Sequence, residues 1–178
     1  MHDFVSRRRP PAGLIYMLGA LGGVVGIVAA FQQEITHLSA LAMLTAGPIE
    51  ELCKPLVLIV MLDKRPWWIK RRWEVILMAM LAAGLFATLE NLLYLKVAIA
   101  NPSVKLIWFR WTVCTGLHLT CSAIAAAGIA QQWQRMVTGG ERFRLGRAFA
   151  LYYLVAAGIH AGYNGVVWVL ESSDTLVW

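Results

Sequence analysis

The chain has 178 residues, of which 59% are hydrophobic and 15% charged, with a mean hydropathy of +0.62. Soluble domains carry about 25% charged residues and do not gather their apolar residues into long runs, so the composition excludes a soluble globular class. A net charge of +6 raises nucleic acid as a partner, but the basic residues lie beside apolar runs, where they act as topology signals and not as a phosphate-binding face.

Residues 1–12 are polar and basic, with Arg7-Arg8-Arg9 and then Pro10-Pro11, and lead into a first apolar span at 13–31. Its glycines fall at Gly19-x-x-x-Gly23 and Gly22-x-x-x-Gly26, a spacing that lets a neighbouring backbone approach closely. The basic start and Val28-Ala29-Ala30 also have the outline of a secretory signal, but the apolar part is long for one, and a retained span is expected. A short polar loop at 32–37 precedes the second span, 38–62, which carries Glu50-Glu51-Leu52-Cys53-Lys54 between Gly47-Pro48 and Pro55.

A charged side chain at the middle of a bilayer costs about 2.5–3.5 kcal/mol on insertion scales and faces a partner or a water-filled cavity. Three such groups together mark a site, the plainer alternative being an internal ion pair that fixes helix packing. The loop at 63–74 mixes Lys64, Arg65, Lys70, Arg71 and Arg72 with Trp67, Trp68 and Trp73, a membrane–water interface composition. The third span, 75–99, holds Phe86, Glu90 and Asn91, and Asn101-Pro102-Ser103 is a turn signal. Along the fourth span, 106–130, Arg110, Cys114, His118 and Ser122 form a polar stripe at helical spacing. A polar loop at 131–147 with Gly139-Gly140 leads to the fifth span, 148–170, which holds His160 and Asn164 before a short acidic tail.

The expectation is an all-α fold: one domain over residues 1–178, a polytopic transmembrane bundle of about five spans. Twelve of the sixteen Lys and Arg fall in the N-terminal segment and in the second and fourth loops. That asymmetry places the N-terminus in the cytoplasm and the C-terminus outside, in a multi-pass protein of the plasma membrane. Cys53, Cys114 and Cys121 lie within apolar runs, without zinc-site spacing, and read as packing residues. Small residues at 82–84, 125–128 and 156–158 are the expected helix contacts.

At 1.5 Å rise per residue, Glu50 and His118 lie about 18 Å below the outer ends of their spans, His160 about 15 Å and Glu90 about 14 Å. Singly, each histidine could be a satisfied core residue, and Glu90 a neutral acid bonded to a neighbouring helix. Their common level argues for one site. At about 100° per residue Glu50 and Lys54 share a face and Glu51 points away, toward an adjacent helix. Arg110, near the outer interface, reads as a snorkelling structural residue.

Carboxylate, histidine and asparagine in a secluded wet pocket suit hydrolysis. A buried glutamate serves as general base toward water, and a histidine with the Asn amide holds the developing oxyanion. The other chemistry open at this point is metal-assisted, with Glu90, His118, His160 and the nearby Glu50 as ligands of a zinc or other divalent ion, although HExxH spacing is absent. A proton- or cation-coupled transporter would use the same Glu, Lys and His as a relay, but five spans without a repeat do not make the usual two-fold design. A haem anchor on His118 and His160 would leave the carboxylate pair without a role.

Four motifs on four of the five spans occur in order: Glu50-Glu51-x-x-Lys54, Phe86-x-x-x-Glu90-Asn91, Arg110 followed by His118, and His160-x-x-x-Asn164. This pattern resembles the PrsW-type intramembrane proteases, grouped with the CAAX-type prenyl proteases and bacteriocin-processing enzymes. The resemblance implies a polytopic peptidase that cleaves a membrane-associated protein within or beside the bilayer. The PrsW type is associated with cleaving a membrane-anchored anti-sigma factor from the outer side. It further implies Glu50 as the water-activating base, Glu51 and Lys54 in support, and Glu90, His118, His160 and Asn164 in the site, with Phe86, Asn91 and Arg110 around them. The second motif ends in Glu90 where the CAAX-type relatives carry His, and many relatives have more spans. The implied partners are a protein substrate and the lipid bilayer; nothing in the chain signals an oligomeric state.

Overall fold

A computed structural model describes residues 8–36, 40–140 and 142–173. The all-α expectation holds: among the described residues there are helices and no strand. In chain order these are α1 (Ala12–Ala20), α2 (Gly22–Thr36), α3 (Ala40–Cys53), α4 (Leu56–Lys64), α5 (Arg72–Leu93), α6 (Val104–Phe109), α7 (Thr115–Gly139) and α8 (Arg147–Ser172). Two π-helical turns, Tyr94–Ala98 after α5 and Arg110–Cys114 between α6 and α7, sit at one end of the bundle.

Among the described residues four segments are long and apolar enough to cross a membrane: Ala12–Gln33, Arg72–Ala98, Val104–Gly139 and Arg147–Leu170. The second expected span is not one helix. It breaks between α3 and α4 at Lys54-Pro55, because proline has no N–H to donate and its ring clashes with the carbonyl four residues back. The chain recovers at once, with Ile59 N donating to Pro55 O at 2.9 Å. Irregular backbone at membrane depth is tolerated where protein covers it, and here α2 does so. Gly22 packs on the Lys54 carbonyl so closely that any Cβ would collide with it.

Two loop boundaries differ from the sequence reading. The loop expected at 32–37 is helical through Thr36, since Gln and Glu are good helix formers and Gln33 Nε2 donates to Thr45 Oγ1 at 2.6 Å. His37 lies outside the described residues, as does most of the acidic tail. The loop expected at 131–147 begins late, because Gln132, Trp133 and Met136 bury one face of α7. That helix stops at Gly140, whose φ of 68° is a left-handed cap that glycine adopts without strain.

The turn at 101–103 is present, with Ser103 Oγ capping α6 by accepting from Leu106 N at 3.1 Å. Helix contacts use the expected small residues: Ala82, Ala83, Ala125, Ala126, Ala156 and Ala157 are buried, and Gly128 abuts Phe149. Gly158 instead has open space around it.

The ends of the bundle differ in chemistry. At one end Glu74 caps α5 by accepting from Lys70 N and Arg71 N at 2.6 and 3.1 Å, and pairs with Arg9 at 2.8 Å. Trp68 and Ile69 of the second loop and Phe143 of the fourth pack into the same apolar cluster as Ile15 and Met136. The basic segments thus share that end, and the polar cavity lies toward the other.

Candidate active site

Glu50 and Glu51 are adjacent on α3, about 100° apart around the helix axis, and their surroundings differ accordingly. Glu51 is fully buried: Oε1 accepts from Lys54 Nζ at 2.6 Å and from His160 Nδ1 at 3.0 Å, and Oε2 from Ser122 Oγ at 2.9 Å. Glu50 Oε2 is buried too but makes no hydrogen bond among the described residues. It lies 3.5 Å from Lys54 Nζ and 3.7 Å from both His118 Nδ1 and His160 Nε2. Helical spacing alone paired Lys54 with Glu50. That ion pair is present at 3.5 Å, but Glu51, three residues back on the same helix, is the closer partner, and the ammonium also reaches α7, where it donates to His118 Nδ1 at 2.8 Å. Its Nζ lies 4.2 Å from the centre of the Phe86 ring, a cation–π contact.

From α5, Glu90 Oε2 accepts from His118 Nε2 at 3.1 Å and from Arg110 NH2 at 2.9 Å. His118, with the Lys54 ammonium on its Nδ1, is therefore read as neutral. His118 donates through Nε2 and accepts at Nδ1; His160 donates through Nδ1 to Glu51. These tautomers are assigned from the bonding network. The two rings meet edge to face at 4.9 Å.

Arg110 is not a snorkelling residue. Its side chain is 13% exposed and turns inward, because α5 offers it two acceptors: Glu90, and Asn91 Oδ1 at 3.1 Å from its Nε. It also lies over the Tyr94 ring at 3.9 Å. Asn91 Nδ2 in turn donates to the Arg110 carbonyl and to Thr115 Oγ1, each at 3.2 Å, tying α5 to the π-helical turn.

A cavity of about 150 Å³ collects Glu50, Glu90, Arg110, His118, His160 and Asn164 on its wall. Glu51, Lys54, Ser122, Phe86 and Asn91 stand behind that wall. Glu50, His118 and His160 can present donor atoms within 4.8 Å of one another, and so can Glu51, Cys121 and His160. Glu90, expected in the metal set, instead backs His118. Sequence reasoning missed Tyr94, Tyr163 and Thr115. Tyr163 lines the cavity and contacts Cys114 Sγ at 3.1 Å. Tyr94, four residues beyond Glu90 and hence on its face, was open to discovery by spacing; Thr115 gave no signal. Ser122, without an arrangement for a nucleophile, proves to be a partner of Glu51.

Fold and site define a multi-pass helical membrane protein with paired carboxylates and histidines gathered in a buried cavity. The chain belongs to the PrsW family: the family model described as PrsW family intramembrane metalloprotease matches residues 10–178, nearly its whole length. It is accordingly an intramembrane protease, a hydrolase whose substrate is a protein and whose surroundings are the bilayer. Comparison with curated proteins and with solved structures returns no match.

Proposed function

We propose that residues 1–178 form one integral-membrane endopeptidase domain in which Glu50 takes the proton from the water that attacks a peptide bond. The observation that carries this reading is Glu50 Oε2, buried on the cavity wall with no hydrogen bond among the described residues and only the Lys54 ammonium at 3.5 Å. An unsatisfied buried acceptor costs about 1–3 kcal/mol, more if charged, so a donor from the cavity is strongly favoured there. With His160 Nε2 unprotonated, a water between it and Glu50 Oε2 would meet two acceptors, one for each of its protons. As its oxygen adds to the carbonyl carbon, Glu50 receives a proton and later returns it to the leaving amine. Asn164, on the same wall, supplies the donor for the oxyanion; His160 does so only after accepting a proton. Glu51 and Lys54 hold His160 and His118 in place.

A metal-assisted route has its own support. Each histidine has one nitrogen on a carboxylate and the other near Glu50, as ligating histidines do. Glu50, His118 and His160 would hold a divalent ion, which when bound polarises a carbonyl and activates water. Lys54 would then have to release His118 Nδ1 and keep Glu51.

The substrate is a membrane-anchored protein, of the kind exemplified by a single-pass anti-sigma factor. It is cleaved toward the outer face of the plasma membrane, with the N-terminus of the protease in the cytoplasm. The purified protein is tested in liposomes against a tagged library of single-pass substrates, beside Glu50→Gln and His160→Ala. Loss of at least about 100-fold is expected for Glu50→Gln, and unchanged cleavage in both variants overturns the assignment. Metal analysis with chelator treatment separates the routes. Cleavage that persists without metal assigns the glutamate route, and loss restored by zinc assigns the other.

A further inference from the structure

A second recess opens on the lipid-facing side, beside the cavity. It has about 140 Å³ and is lined by Ile27, Ala30 and Phe31 of α2, by Leu93 at the end of α5 and by Val97 and Ala98 of the π-helical turn that follows. Glu90 and Tyr94 belong to both spaces, so the recess and the cavity meet at these two residues.

The recess exists because of how α2 crosses α5. At Gly23 and Gly26 the helices touch closely: a Cβ on Gly26 would lie 2.9 Å from the Phe86 ring and 3.1 Å from Lys54 Cγ. One turn further, Ala30 is still buried, but larger side chains now line both helices and they part. Phe31, Leu93 and Val97 are 52%, 38% and 78% exposed, and in a membrane protein that exposure is to lipid.

We propose that this recess is a substrate subsite that takes one large apolar side chain, of leucine or phenylalanine size, from the membrane-embedded segment beside the scissile bond. The proposal rests on the proteolytic reading above and adds a specificity to it. Three observations support a substrate side chain as occupant. The recess borders the cavity at Glu90 and Tyr94, which line both. Its volume is close to the about 150 Å³ of an apolar cavity able to hold benzene. And among the described residues both hydrogen bonds of Glu90 fall on Oε2, leaving Oε1 for a substrate N–H that has no water to bond inside a bilayer. Ala30, small and at the floor, sets the depth.

The test uses the full chain in liposomes and synthetic single-pass substrates carrying Ala, Leu, Phe or Trp in turn at each position around a cleavage site mapped by mass spectrometry. Wild type is expected to prefer Leu or Phe over Ala at one position by about tenfold or more, as a filled apolar pocket allows. Ala30→Phe, which plugs the floor, lowers that preference ratio at least tenfold, and Leu93→Ala shifts it toward Trp. Val155→Phe, on the lipid-facing side of α8, leaves the ratio where it was. A ratio unmoved by both Ala30→Phe and Leu93→Ala overturns the subsite.

A photo-cross-linking residue at Val97 in the Glu50→Gln variant reads occupancy without cleavage. Capture of the Leu substrate several-fold above the Ala substrate upholds the subsite even should proteolysis itself fail. Capture of phospholipid alone overturns it and makes the recess a lipid site.

Discussion

Two adjacent glutamates, alike in type and burial, have different jobs because of what surrounds each. Glu51 carries three donors and neutralises Lys54; Glu50 is left with an oxygen facing the cavity. Glu51→Ala takes from the buried ammonium the nearer of its two carboxylates and leaves His160 Nδ1 and Ser122 Oγ without their acceptor, and removing one partner of a buried pair costs about 3–5 kcal/mol. Glu50→Gln keeps the shape and leaves Lys54 with Glu51. The expected outcome is a Tm lowered by several degrees in detergent for Glu51→Ala, against a near-wild-type Tm for Glu50→Gln. Equal melting of the two would contradict the division of roles. Helical spacing made part of this legible, since Glu51 had to point away from the Glu50 face. It gave Lys54 one of its two carboxylates and missed the nearer, since residues three apart on a helix are neighbours as well as those four apart, and it misread Arg110 because depth along a span does not tell whether a long side chain turns inward.

At the scale of elements, the site depends on local departures from regular helix: the break at Lys54-Pro55 and the two π-helical turns that present Tyr94 and Arg110 to the cavity. Single π turns are frequent at functional sites, yet nothing in the residues of 94–98 or 110–114 distinguishes them from α-helix. The proline was visible, and its consequence followed from the missing donor. The glycine spacing of the first span was visible as well, but not its target. Gly22 covers the Lys54 carbonyl, and so supports the segment that carries Glu50 and Glu51 from behind. Gly22→Ala is expected to cost about 1–3 kcal/mol by overpacking and to lower cleavage with it. Gly162→Ala, with nothing within 4 Å of the added methyl, is expected to be neutral or slightly stabilising. Thermal melts of the two variants check this, and a harmless Gly22→Ala would show that α2 does not brace the break.

Across the whole molecule, the helical class and the grouping of four motifs were legible because intramembrane polar residues are few and each must find a partner. Span ends were less so, since helices run on past the apolar core wherever one face still has something to bury, as α7 does through Met136. The three basic segments converge at the end opposite the turn at 101–103, and Ile99 and Leu106, which flank that turn, line the cavity. In the proposed orientation, with the positive segments cytoplasmic, the cavity would belong to the outer half of the bilayer, the half from which an outward-facing substrate would be reached. Single cysteines at Lys64 and Arg144 are therefore expected to react with a membrane-impermeant thiol reagent only after the cells are opened. Cysteines at Ser103 and Ser172 should react in intact cells. Labelling of Lys64→Cys from outside would invert the topology, and with it the side from which the protease meets its substrate.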